Sequence, residues 1–188
     1  MAEYWVRIDE MIPYDVSDHG NVRNSDSGRM LSQSVTKHGD LKVNIRDIDG
    51  ERITASVRVL VAEAFVLRPD DNCDTVVLLD GDRRHVNATN LAWRPRNMAW
   101  RYAKQFDIEH DEQPEIYRDH PIIDIQTGTV YQNVIHACIE NGLLFETVAR
   151  HAREASLPTA GARALEPLYP TNCIFAYPRL IDMPHLQR

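Results

Sequence analysis

Apolar and polar positions alternate through residues 3–55, and the alternation breaks at Asp18-His19-Gly20, Asp26-Ser27-Gly28 and Asp49-Gly50. A period of two is the signature of strands with one buried face, and breaks of this composition are hairpin chemistry. The runs Tyr4-Trp5-Val6-Arg7-Ile8, Tyr14-Asp15-Val16-Ser17, Gly20-Asn21-Val22-Arg23-Asn24 and Leu41-Lys42-Val43-Asn44-Ile45-Arg46 therefore predict a small antiparallel sheet. From Ser56 the period changes. Val57, Leu60, Val61, Ala64 and Phe65 recur at helical spacing, with Ser56 placed as a cap, and Pro69 with Asp70-Asp71-Asn72 ends the pattern.

Val76-Val77-Leu78-Leu79 is a short apolar run closed by Asp80-Gly81-Asp82, which reads as a buried strand entering a tight loop. A second apolar piece, Leu91-Ala92-Trp93, follows Asn90. After Pro95 comes a helix-compatible segment, Arg96 to Lys104, with Asn97 placed to cap it. Strand, loop, strand and helix make a ββα unit. Residues 106–119 are polar, acidic and aperiodic, and read as a linker containing Pro114. Beyond it, Pro121–Ile125 and Thr129–Tyr131 flank a Gln126-Thr127-Gly128 turn, and two helical stretches, Asn133–Glu140 and Phe145–Ala155, are split by Asn141-Gly142-Leu143. An apolar strand, Cys173–Tyr177, closes this second unit. The expected class is α+β: a small antiparallel sheet and helix leading into the ββα unit over 1–105, the linker over 106–119, and a smaller α/β unit with a helix-turn-helix over 120–188.

Charge sharpens this division. The 188 residues carry a net charge of -7, 43% are apolar and 26% charged, normal for a chain that buries a core. Residues 1–105 hold 15 basic against 16 acidic side chains, and residues 106–188 hold 6 against 12, with six acids between Asp107 and Asp119. Within the acidic whole, Arg83 to Lys104 contains six cations and no Asp or Glu. These cations are Arg83, Arg84, Arg94, Arg96, Arg101 and Lys104, and with Trp93, Trp100 and Tyr102 interleaved they point to nucleic acid, since affinity follows local cation placement against phosphates. The overall acidity keeps a protein partner open as well. Cys73, Cys138 and Cys173 are widely spaced and form no C-x-x-C pair, which argues against zinc and for a reducing compartment. No apolar run approaches eighteen residues and Met1-Ala2-Glu3 opens no signal peptide, so the expectation is a cytoplasmic protein without a membrane partner.

The stretch Thr75–Lys104 resembles the HNH module of phage-type homing endonucleases, which would make the chain bacterial or phage-encoded. Asp80-Gly81-Asp82, Asn90-Leu91 and Trp93 fall on that family's pattern. Tyr14-Asp15-Val16-Ser17 with Gly20-Asn21-Val22-Arg23-Asn24 is similar to the module that precedes many HNH domains, and the helical run from Ser56 continues the likeness. The resemblance implies double-stranded DNA as partner and places Asp80, Gly81, Asn90 and Trp93 as loop-forming residues. It also exposes losses. The family's general-base histidine falls on Leu78, the neighbouring metal ligand on Val77, and the final helical asparagine on Ala99, unless a two-residue deletion puts Asn97 there.

One-metal phosphodiester cleavage needs oxygen ligands for a hard cation and a base within reach of a water. Valine and leucine supply neither. The expectation is a cleavage-deficient DNA-binding protein, with no cofactor, that serves as a regulator or site competitor. Two alternatives stand beside it: a nicking endonuclease with relocated ligands, drawing on Asp80, Asp82, His85 or Asn97 and on magnesium or manganese, and an interaction protein that inhibits a host protein. His85 would serve the nicking enzyme as a displaced base and the DNA-binding protein as a surface or phosphate contact. Arg23, Arg29, Lys37, Lys42 and Arg46 are further phosphate candidates on the sheet. The 121–177 segment is similar to the C-terminal helix-turn-helix module of the same enzymes, which would put Thr147, Arg150, His151 and Arg153 on a recognition helix.

Overall fold

A computed structural model describes residues 2–9, 12–108, 112–156 and 166–178. The chain divides into two units, Met1–Ala99 and Trp100–Arg188. The expected α+β class is borne out.

The first unit holds two three-stranded antiparallel sheets where the alternation predicts one. Strands β1 (Trp5–Asp9), β2 (Ile12–Ser17) and β3 (Val22–Asn24) form the first, in that order. Val16 opposes Val6 on one side and Val22 on the other, and Val16 and Val22 are fully buried. The turn between β2 and β3 runs through Gly20, whose φ of 86° is open to glycine at no steric cost. The second sheet joins β4 (Gln33–Val35), β5 (Leu41–Arg46) and β6 (Arg52–Ser56), with Val43 facing Ala55 and Ile45 facing Ile53. Val43 and Ile45 point into the core, while Lys42, Asn44 and Arg46 line the opposite face.

Helix α1 (Val57–Phe65) follows β6 directly and buries Val57, Leu60, Val61 and Ala62. Ser56 takes the cap position in extended backbone, but its side chain makes no capping bond. At the other end, carbonyls without an intrahelical partner need a donor. Trp93 supplies one: its indole Nε1 donates to the Val66 carbonyl (3.1 Å), and it also reaches the Ala62 carbonyl (3.4 Å), which already accepts from the Val66 amide. Trp93 lies on β8 (Leu91–Arg94), which pairs antiparallel with β7 (Thr75–Leu78), Val76 against Trp93 and Leu78 against Leu91. Trp93 thus bonds the strand pair to the end of α1, and it joins Val76, Leu78 and Leu91 in the core they share with that helix. Helix α2 (Arg96–Lys104) follows at once, its first turn anchored by the Ala99 amide donating to the Pro95 carbonyl (2.8 Å). Asn97 therefore sits inside the helix, where its side chain accepts from the Met98 amide at 2.8 Å, and it is not the cap.

The unit boundary at 99/100 falls within α2, six residues earlier than the composition suggests. Much of the expected linker is built into the second unit. Helix α3 (Glu115–Arg118) lies in it, and Gln113 is buried with its amide donating to the carbonyls of Gln105 (3.0 Å) and Ile108 (3.3 Å). Positions 109–111 lie outside the described residues. An aromatic chain joins Tyr102 to Phe106, Phe106 to Phe145 and Phe145 to Tyr117, with centroids 5.3, 5.9 and 6.2 Å apart.

The expected hairpin, helix pair and closing strand are all present. Strands β9 (Ile122–Asp124), β10 (Val130–Tyr131) and β11 (Phe175–Ala176) form a sheet with β9 in the centre. Helices α4 (Val134–Asn141) and α5 (Phe145–Ala155) are joined by a turn in which Gly142 is left-handed, with φ 61°. Asn133 caps α4 by accepting from the His136 amide at 2.9 Å. The start of α5 is capped from elsewhere, because the Gln105 side-chain oxygen accepts from the Phe145 amide at 3.1 Å. Much of the long connection that follows α5, residues 157–165, is outside the described residues.

Candidate functional site

The loop between β7 and β8 is organised on Asn90, buried at the end of a 3-10 turn, Ala88–Asn90. Its side-chain oxygen accepts from the Asp80 amide (3.1 Å). Its side-chain nitrogen donates to Asp80 Oδ1 (2.8 Å) and to the His85 carbonyl (2.7 Å). Asp80 Oδ1 also accepts from the Asp82 amide at 2.9 Å, and Asp82 Oδ1 from the Arg84 amide at 2.9 Å. Gly81 makes the tight turn with φ 78°. Asp80 Oδ2 is hydrogen-bonded to His85 Nδ1. Partial burial works to raise the Asp80 carboxyl, but the bonds from His85, Asn90 and the Asp82 amide outweigh it and hold the group below its usual range.

This geometry fits a self-contained loop better than a cation site. Both oxygens of Asp80 already accept protein donors, and one oxygen of Asp82 is engaged as well. Among the described residues no group of three His, Cys, Asp or Glu could hold a metal ion. Val77 and Leu78 are 5% and 7% exposed, packed as ordinary strand residues, and Ala99 is buried at 6%. Asn97 is exposed on the first turn of α2. Asp82 is exposed as well, and the His85 side chain is 55% exposed while Asp80 holds Nδ1.

The outer side of the loop rests on the N-terminal sheet. The Ala88 amide donates to the Asp18 carbonyl at 2.8 Å, and Val86, buried, lies against Gly20. Arg83 and Arg58 approach the two oxygens of Asp40 at 3.4 and 3.3 Å. Nothing in the local sequence signals the Arg83 contact, since its partner is 43 residues away.

The predicted cations separate into two classes. Arg84 is exposed, and Arg83 is half exposed beside Asp40. Arg96 is 83% exposed and pairs with Asp74 at 3.2 Å; Arg101 is 55% exposed and pairs with Glu146 at 3.6 Å. Lys104 is exposed, with Nζ 4.3 Å from the Trp100 ring centroid. Arg94 is different and corrects the expectation of a surface clamp: it is 6% exposed, and its guanidinium donates to the Trp93 carbonyl at 2.6 Å. On the sheets, Arg29, Lys37 and Arg46 are exposed and Lys42 is half-buried, whereas Arg23 is tied to Asp15 at 2.8 Å and stacks 4.2 Å over Trp5.

On α5, Arg150 and Arg153 are exposed and Thr147 is partly so. His151 is buried in the helix face that lines a small cavity. It is 6% exposed, with Nε2 hydrogen-bonded to the Glu166 carbonyl at 2.9 Å. That cavity, of about 190 Å³, is lined by His151 together with Thr147, Arg150, Glu154 and Leu168 among others. No helix among the described residues is long and apolar enough to cross a membrane.

No family model matches the chain. Over 95 residues, 49% of its length, it is 33% identical to an uncharacterized HNH endonuclease, L247, of Acanthamoeba polyphaga mimivirus. Over 93 residues it is 31% identical to a second, L245, of the same virus. The chain spans only about a quarter of these relatives, 24% and 27% of their lengths. A solved structure of DNA binding and cleavage by the HNH homing endonuclease I-HmuI aligns over 93% of this chain and 98% of that one, at 22% identity and a TM-score of 0.49.

Proposed function

From a relationship to HNH endonucleases that covers about half of the chain, we propose that this is a duplex-DNA-binding protein which keeps the ββα scaffold and does not cleave, acting as a regulator or as a competitor for sites. The observation that carries the reading is chemical. Val77 and Leu78 are buried aliphatic side chains where the resemblance puts a cation ligand and a water-activating base. No rotamer of either gives an oxygen or an imidazole, and both oxygens of Asp80 and one of Asp82 are already bonded within the loop. The contacts to DNA fall to the exposed cations of each unit: Arg83, Arg84 and Arg96 in the first, and Arg101, Lys104, Arg150 and Arg153 in the second. Those that form surface ion pairs lose little by exchanging a carboxylate for a phosphate, because exposed pairs contribute only about 0–1 kcal/mol.

The test has two parts. Duplex affinity should fall with salt, and each phosphate contact removed should take about one unit from the log–log slope. Arg150→Glu with Arg153→Glu should therefore weaken binding and flatten the slope. Unchanged affinity and slope would remove α5 from the interface. Supercoiled plasmid incubated with magnesium or manganese should stay supercoiled. One observation favours a nicking enzyme instead: Asp80 holds His85 Nδ1, which leaves the exposed far side of the ring able to accept a proton. Relaxation of the plasmid that disappears in His85→Ala would establish that reading and end ours.

A further inference from the structure

We propose that Trp100 is a base-stacking residue, presented by α2 beside Arg101 and Lys104 to a base in DNA that has lost a stacking neighbour. The inference rests on the DNA-binding reading above and adds the kind of DNA preferred: duplex carrying an unpaired base, over unbroken duplex. Trp100 is 62% exposed, which is expensive for the largest apolar side chain and contributes nothing to a core. Its helical neighbours Ala99 and Tyr102 are 6% and 1% exposed, and Tyr102 is set edge-on against Phe106. The backbone that carries the indole is therefore fixed by packing on its far side, so the ring is displayed in a defined place at small entropic cost.

The surroundings select a polyanion. Helix α2 contains no Asp or Glu, and Lys104 lies over one face of the Trp100 ring. Arg101 pairs with Glu146 at 3.6 Å with the two side chains 55% and 72% exposed, an arrangement that a phosphate can displace. Two cations within one turn of an exposed indole match a phosphate on either side of a base. In an unbroken duplex both faces of each base are already covered, so a preorganised indole gains a stacking partner only where one is missing.

The full-length protein is titrated, at one salt concentration, against a fluorescein-labelled duplex and against the same duplex carrying a single bulged 2-aminopurine. Anisotropy and 2-aminopurine emission are both read. The bulged duplex should bind about 5- to 100-fold more tightly, the span expected for one base–aromatic stack, with a change in 2-aminopurine emission on binding. Trp100→Ala, checked for fold by circular dichroism, should bring the affinity ratio to about one and abolish the emission change, and Trp100→Phe should keep part of both. If the wild type binds unbroken duplex with no preference, or Trp100→Ala keeps the preference, the stacking role is wrong and the DNA-binding reading stands. If the wild type binds neither duplex, both fall together.

Discussion

Gly20 leaves the sequence little freedom, and the cost of changing it can be worked out from two independent contributions. Its φ of 86° lies in the left-handed region, which costs a residue with a Cβ roughly 1–2 kcal/mol. A Cβ added there would also fall inside van der Waals contact with Val86 Cγ2 and 3.3 Å from the Val86 carbonyl oxygen. Val86 is 5% exposed and cannot swing away, so this overpacking adds about 1–3 kcal/mol. Gly20→Ala should therefore destabilise the first unit by about 2–5 kcal/mol. The two contributions are separable in a double-mutant cycle. Val86→Ala alone removes two buried methyl groups and should cost roughly 1.5–3 kcal/mol. In that background Gly20→Ala meets the carbonyl but no longer the Cγ2, and should cost little more than the backbone penalty. The coupling free energy should then be about 1–3 kcal/mol, opposite in sign to the single losses. Urea unfolding followed by tryptophan emission measures it, since Trp93 is buried in the same core. A coupling below about 0.5 kcal/mol would show that Val86 does not rest on Gly20, and the account of how the Arg83–His85 loop is held against the sheet would be refuted.

Arg94 and Asp80 give two further expectations. Arg94→Met should lower stability, because a buried guanidinium bonded to the Trp93 carbonyl is lost, yet leave the salt slope of duplex binding unchanged; a flattened slope would return Arg94 to the interface. Asp80 is held below its usual range in the folded chain, so its carboxylate stabilises the fold above the unfolded value of about 4 and loses that contribution as pH falls through the lower folded value. The stability gap between wild type and Asp80→Asn should accordingly be constant above about pH 5 and shrink below about pH 4; a gap that is flat to pH 2 would contradict the bonding assigned to Asp80.

What could be read in advance follows from which forces are local. Val76–Leu78, the Asp80-Gly81 turn and the helical spacing from Val57 are local patterns, and the elements they predict are present with ends shifted by a residue or two. Strand β4 was not legible because Gln33–Val35 is three residues long, with no buried position to mark a face. Strand β6 hid for the same reason, since Arg52, Ile53 and Thr54 are all exposed. The 106–119 stretch looked like a spacer because glutamine is normally read as solvent-facing. Here Gln105 and Gln113 spend their amides on backbone groups, Gln105 at the start of α5 and Gln113 on carbonyls of its own segment, which no composition reveals.

The site divides along the same line, and the division is not symmetrical. Showing that a group can act requires geometry: Arg94 has suitable chemistry for a phosphate and is set aside only by its burial at 6% and its bond to the Trp93 carbonyl. Showing that a group cannot act requires only its identity, because no conformation lets Leu78 take a proton or Val77 hold a cation. What a strand residue cannot do is thus legible from the chain alone, while every positive assignment waits on exposure and partners. The same asymmetry ranks the experiments. The plasmid assay asks whether chemistry has been rebuilt from Asp80 and His85, whose bond nothing in their spacing of five residues announces. A negative result there leaves binding as the function to explain, and the exposed cations and the indole of Trp100 as the residues with which to explain it.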